Sequence, residues 1–404
     1  MQPCLSTSLA RMYINHASLL ALLLTSAAVS SAESMQANQD CAASNVFQRV
    51  NALLADKSYD LAGNALDQLR SCPNRSPLET FQLGWLYGRA RQFDKALEVL
   101  NKVPVDVPDR LTHGYAIALS KFELADYSGA AGELKSLQSA GLADTKSINL
   151  LAVSYSKVGL YREAYQALAE QINKDPSDLS LYLNIVAVCA EKGDFAKAAD
   201  LAAQATQKFP TSADAFIVHG AANSLLGFLD RASDDFATAV HLAPERPDAR
   251  FFLALTGYKQ GRFGDALTVL QRAVKDGLAD SDLHYLIAEC LLKLDPTAIA
   301  EALRELSLAI DLNANSVSAR TLRGKLLLAA GRTNDAVSDL ETAIHKDPNS
   351  RAALYNLAMA YKAAGRTSEA QALFLQIRTQ ATEVFNEFSA KRLNEALGEN
   401  GAQP

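Results

Sequence analysis

The chain has 404 residues, 49% hydrophobic and 21% charged, a composition that excludes a wholly disordered polymer. One compact core rarely grows past about 250–300 residues, so this length demands several domains or an elongated array. A net charge of −6 and a pI near 5.6 exclude the basic footprint that nucleic-acid binding normally leaves, and no nucleic-acid partner is expected.

The first 32 residues carry one charge, Arg11, and then the run ASLLALLLTSAAV from Ala17 to Val29. That run is shorter than the roughly 20 residues a bilayer span needs. Followed by the small residues Ser30 and Ala32, it reads as a signal peptide over residues 1–32, cut after Ala32. The other reading is an uncleaved helix kept as an anchor. The mature product is expected to be exported, periplasmic or secreted, with a short polar linker over residues 33–42. No later stretch approaches spanning length, so no membrane span is expected in the mature chain. Cys4 falls in the signal. Cys41, Cys72, Cys189 and Cys290 remain, an even number without a CxxC, which permits disulfides in an exported chain.

From about Ala43 onward the chain copies one unit, clearest at Thr145–Asp178. Ile148, Leu151, Ala152 and Tyr155 share one face of a first helix, and Gly159 breaks it. Tyr161, Ala164, Tyr165, Leu168 and Ile172 share one face of a second helix, which Asp175-Pro176 ends. The same small residue returns as Ala62, Ala96, Ala130, Ala164, Ala198, Ala232, Ala266, Ala302, Ala336 and Ala370. Every step is 34 residues except Ala266 to Ala302, which is 36. A recurring alanine lets two helices approach where a larger side chain would hold them apart. A small first-helix residue keeps the same step, as in Gly84, Ala118, Ala152 and Gly324. So do the turn glycines Gly159, Gly193, Gly227, Gly261, Gly331 and Gly365, and the terminating Pro176, Pro210, Pro244 and Pro348. Gly141-Leu142 and Gly277-Leu278 replace the proline in two repeats and are expected to stop the helix in the same way.

The period and the L-G-x-x-Y…A…F…P pattern resemble the tetratricopeptide repeat. Leu83, Gly84, Tyr87 and Ala96 carry it, as do Leu151, Ala152, Tyr155, Ala164 and Pro176, and Leu357, Ala358, Tyr361, Ala370 and Phe374. The family's usual tryptophan at the fourth position is missing, and the single tryptophan, Trp85, sits at the ninth. The resemblance implies an all-α, right-handed superhelical solenoid of about ten 34-residue helix–turn–helix repeats over residues 43–384. The divisions are 43–76, 77–110, 111–144, 145–178, 179–212, 213–246, 247–280, 281–316, 317–350 and 351–384. The eighth repeat holds the two-residue insertion, near Leu294-Asp295-Pro296, where a lengthened turn is expected. A capping helix is expected over residues 385–397 and a disordered tail over 398–404.

The resemblance also implies a concave side lined by first helices, with positions five and nine of each repeat facing it. The residues singled out for a partner-binding groove are Phe81, Trp85, Tyr115, Leu119, Leu183, Phe251, Leu255, Tyr258, Tyr285 and Tyr355. The bland alternative is that such residues pack between neighbouring repeats. Phe81, Trp85 and Tyr115 form one candidate hot spot and Phe251, Leu255, Tyr258 and Tyr285 a second, since large aromatic anchors dominate interface energetics. In a helical hairpin the start of the first helix lies beside the end of the second, so Cys41 and Cys72 can form a disulfide. Free thiols or pairing with another protein are the alternatives. Cys189 and Cys290 fall on core-facing positions too far apart to bridge.

Catalytic motifs are not visible. The six histidines have no H-x-x-x-H or H-E-x-x-H partner, and G-x-S-x-G, G-x-G-x-x-G and phosphate-loop patterns are lacking. The acidic residues read as solvated helix faces and caps. No enzyme activity, metal or cofactor is expected. The expected function is a non-catalytic exported scaffold that binds protein or peptide segments in its groove. The alternative is an accessory or regulatory subunit docking an envelope enzyme or export complex.

Overall fold

The computed structural model describes residues 43–70, 75–278 and 280–380. The expected signal peptide, linker, Cys41–Cys72 pair, capping helix and tail lie outside the described residues. The chain divides into two compact units, Met1–Leu226 and Gly227–Pro404. Among the described residues every regular element is a helix.

The first unit holds α1 (Ala43–Ala55), α2 (Tyr59–Arg70), α3 (Pro77–Arg89), α4 (Phe93–Leu100), α5 (Arg110–Glu123), α6 (Tyr127–Ser139), α7 (Thr145–Lys157), α8 (Tyr161–Lys174), α9 (Leu179–Lys192), α10 (Phe195–Lys208) and α11 (Ala213–Leu225). The second holds α12 (Leu229–Leu242), α13 (Pro247–Lys259), α14 (Phe263–Lys275), α15 (Ser281–Leu294), α16 (Ile299–Leu312), α17 (Val317–Ala329), α18 (Thr333–Lys346), α19 (Arg351–Ala363) and α20, helical from 367 to 380. Within each unit, consecutive helices pack as hairpins and each hairpin packs on the next. The fold is therefore an all-α solenoid of repeated helix–turn–helix units.

First helices start where a polar residue closes the preceding repeat. Ser76, Asp144, Asp178, Ser212, Asp280, Ser316 and Ser350 each accept a hydrogen bond from a backbone N–H of the first turn. Ser76 and Glu79 cap one another reciprocally, with Pro77 at the first helical position. The recurring alanine is sealed in every repeat: from Ala62 to Ala336 its exposure is 0–1%, and it is 3% at Ala370. The first-helix glycines show how tight the approach is. A Cβ on Gly324 would lie 2.6 Å from Leu340 Cγ, and one on Gly84 2.8 Å from Leu100 Cγ.

The turn after the first helix requires one left-handed residue. Gly159, Gly193, Gly227, Gly261, Gly331 and Gly365 supply it with φ between 77° and 85°. In the first three repeats the same position is Lys57, Arg91 and Ala125, at φ 57°, 59° and 62°, so the turn is formed there against side-chain sterics. Gly141 and Gly277, at φ 70° and 83°, close the second helices that lack a proline, and Leu142 N and Leu278 N reach back to Leu137 O and Ala273 O. The eighth repeat splits its two extra residues. The first helix α15 gains one, and the turn over residues 295–298 gains the other. Asp295 is extended there rather than left-handed, and its carboxylate accepts from Thr297 N and Oγ1 at 2.8 and 2.7 Å.

One second helix is cut short. α4 has eight residues because Pro104 lacks an N–H and its ring clashes with the carbonyl four residues earlier, at Leu100. The strand of loop that follows carries Val103 back onto the core.

Left-handed geometry at a β-carbon-bearing residue gives a direct test. Ala125→Gly should raise the urea unfolding midpoint by the equivalent of about 0.5–1 kcal/mol, and Gly331→Ala should lower it by about 1 kcal/mol. Two unchanged midpoints would overturn the strain assignment.

Candidate functional site

In the first unit the expected groove residues separate into two kinds. Trp85, Tyr115 and Leu119 are half-buried, whereas Phe81 and Leu183 are closed off at 7% and 3% exposure. Phe81 belongs to a buried cluster with Val103, from the loop that replaces the end of α4, and with Leu100, Ala116 and Ile117. Its ring stacks on Trp85 at 6.4 Å between centroids. The Trp85 indole N–H is buried and has no acceptor among the described residues. Tyr115 titrates high, pushed up to about 12 by burial first and then by the Asp144 carboxylate. Leu183 is sealed for a different reason. In α9 the run Leu181–Val186 is buried residue after residue, as a helix apolar all round must be. The next first helix, α11, behaves likewise, with Ile217 and Ala221 at 0%. Phe81 and Leu183 are therefore core residues, and neither presents a surface to a partner.

In the second unit, Phe251, Leu255 and Tyr258 of α13 pack on the core with part of their surface outside, and Tyr285 of α15 does the same. These two first helices meet at Glu289. Tyr258 donates its hydroxyl to Glu289 Oε2 at 2.7 Å, and Tyr285 donates to Oε1 at 3.1 Å. Burial, then the hydrogen bond to Glu289, pushes the Tyr258 hydroxyl well above the ordinary tyrosine range. Tyr355, in the last described first helix, is exposed and meets Phe374 edge-on at 6.1 Å.

A separate cleft in this unit runs between α16, α17 and α18, lined by Leu303, Ser307, Arg323, Leu327, Arg332, Asp335, Ser338 and Asp339. Its centre is the buried Asp339, gripped by Arg323 Nε and Nη2 at 2.6 and 2.7 Å and by Arg320 Nη1 at 3.0 Å. Arg323 also donates to Ser307 Oγ at 3.2 Å. These groups satisfy one another, and a buried pair of this kind locks packing without offering a free group to a ligand. Among the described residues no group of three or more His, Cys, Asp or Glu side chains could hold a metal ion. Cys189 and Cys290 are buried free thiols, at 4% and 0% exposure.

The profile of the cilia and flagella-associated protein 70 C-terminal domain matches residues 110–353, more than half of the chain, and a tetratricopeptide-repeat profile matches residues 327–392. The chain belongs to the tetratricopeptide-repeat family. No curated protein matches it by sequence. Among solved structures it is similar to a tetratricopeptide repeat protein from Parabacteroides merdae ATCC 43184, at 16% identity over 62% of this chain and 98% of that one, with a TM-score of 0.49. It is also similar to pilF of Pseudomonas aeruginosa, at 17% identity over 54% and 99%, TM-score 0.47, and to yeast Tom70, at 17% over 90% and 97%, TM-score 0.41. The family assignment rests on the profiles and on the repeated helical hairpin.

For a tetratricopeptide-repeat chain, positions five and nine are a register and not a guarantee of exposure. Sequence reasoning singled out Tyr258 and Tyr285 but passed over the carboxylate that joins them. The signal was present: Glu289 is the single acid in the whole position-nine row. It also passed over Arg89, which donates from α3 to Asn51 Oδ1 of α1 at 2.7 Å, two residues at position thirteen and position nine of adjacent repeats.

Two outcomes follow from this geometry. Phe81→Ala should destabilise the chain by about 3–5 kcal/mol, as a large core deletion does, read as a fall in the urea midpoint. A loss below about 1 kcal/mol would show that the ring is not core. Tyr258 should stay protonated near pH 10, where an ordinary tyrosine is half ionised. Absorbance at 295 nm should therefore be the same for wild type and Tyr258→Phe at that pH, and a reduced signal in the variant would refute the assignment.

Proposed function

We propose that the chain is an exported, non-catalytic scaffold that holds protein or peptide segments against the exposed faces of its first helices. One observation carries this reading. On α13 and α15 the side chains of Phe251, Leu255, Tyr258 and Tyr285 cluster across neighbouring repeats yet keep part of their surface in solvent. Aromatic groups fixed by packing on rigid helices lose little freedom on binding, which is the condition for a pre-formed interface. Trp85, Tyr115 and Leu119 are a second, smaller surface of this kind in the first unit. Chains of this family are in general scaffolds without catalytic activity, and this chain's sequence carries no catalytic motif.

Export rests on the N-terminal sequence: Arg11, the apolar run to Val29, and the small residues Ser30 and Ala32. No helix among the described residues is long and apolar enough to cross a membrane.

The test has two parts. N-terminal sequencing of the chain recovered from the envelope or medium of an expressing bacterium should begin at Glu33; a product that keeps Met1 and stays inside would overturn export. A partner identified by crosslinking should bind Tyr285→Ala at least about tenfold more weakly, a loss of about 1.4 kcal/mol. Equal affinity for wild type, Tyr285→Ala and Trp85→Ala would remove both surfaces from the interface.

A further inference from the structure

The first-helix face of α13 and α15 has a chemical bias that an aromatic groove alone does not have. Glu289 is held from both sides, and among the described residues its polar partners are the two tyrosine hydroxyls alone. Both are neutral donors. They orient the carboxylate but bring no positive charge to it. Asp282 lies on the same face of α15, seven residues or about two helical turns earlier, with Tyr285 between them. Its side chain is exposed, and no cation pairs with it among the described residues. Two carboxylates without counter-ions, two phenol rings and the apolar side chains of Phe251 and Leu255 thus share one patch.

We infer that this face recognises a protein segment carrying a lysine or arginine beside an apolar residue, the basic group pairing with Glu289. This rests on the groove reading proposed above and names the partner's chemistry at that groove. Charge complementarity selects the occupant. A cation brought to Glu289 meets a carboxylate already oriented by two O–H donors, so little rearrangement opposes the pair. The two phenol rings add the attraction of an aromatic face for a cation. Phe251 and Leu255 take the neighbouring apolar side chain. An acidic segment would bring like charge onto Glu289 and Asp282 and is rejected. Lys325 holds the same position on the next first helix, α17, and is exposed, so the acidic character is confined to α15.

The experiment uses the full 404-residue chain and a displayed library of random nine-residue peptides. Selection on wild type should enrich lysine or arginine next to a leucine, isoleucine, valine or aromatic residue. The most enriched peptide, labelled with fluorescein, should bind about tenfold more weakly to Glu289→Gln, which keeps an acceptor for the tyrosine hydroxyls while removing the charge. Its affinity should also fall as salt is raised from 50 to 500 mM, a dependence that Glu289→Gln reduces. Enriched peptides with no basic preference, or equal affinity for wild type and Glu289→Gln, would overturn this inference and leave the groove reading standing. If no peptide is enriched on the folded chain, both fall. Matching circular dichroism and unfolding midpoints for wild type and Glu289→Gln separate loss of recognition from loss of fold.

Discussion

The structure depends on close approach at one small residue per repeat. The alanine series from Ala62 to Ala370 is sealed in both units, and the first-helix glycines leave no room for even a methyl group against Leu100 and Leu340. Helices in contact sit roughly 8–10 Å apart, and the side chain at the crossing decides where in that range they lie. A hairpin held together this way still has an apolar face on each side. It is stable only because its neighbours cover those faces, so stability accumulates from hairpin to hairpin. The capping serines and aspartates and the left-handed turn residues are secondary to that contact: they set where each helix starts and stops, and thereby keep the small residues in register.

Much of this was legible in the sequence. The 34-residue step, the sealed alanines and the turn glycines all follow from the identity of single residues at fixed spacing, because backbone conformation and close packing are local demands. The turns at Lys57, Arg91 and Ala125 show the limit of residue identity. There the chain takes the left-handed conformation without a glycine, because the hairpins on either side dictate the path.

The groove was less legible, and the reason is physical. A repeat register says which way a residue points, whereas exposure depends on what packs over it. Phe81 holds its register position, but Pro104 ends α4 early and the resulting loop adds Val103 to the buried cluster that contains the ring. That packing was readable in principle from Pro104 and Pro108, had the proline pair been followed to its consequence for the preceding helix. Leu183 was readable more directly. The helix written LSLYLNIVAVCAEK is apolar around most of its middle turns, and Leu181–Val186 are all buried. The α13 sequence PDARFFLALTGYK lacks that uniformity: Phe252 is buried, while Phe251 and Tyr258 remain partly outside.

The same distinction explains why a carboxylate can stand in the row at all. Position nine elsewhere holds mostly apolar side chains, so placing Glu289 there removes a charged group from part of its water. The penalty is offset by Tyr258 and Tyr285, supplied from two neighbouring first helices. Those hydrogen bonds answer the carboxylate's need for donors but not for charge, and that remaining imbalance is a property of the folded hairpins that no single repeat contains. The face is therefore built within the packing rules of the scaffold: a carboxylate stands where most other repeats hold an apolar side chain, with two donors to hold it.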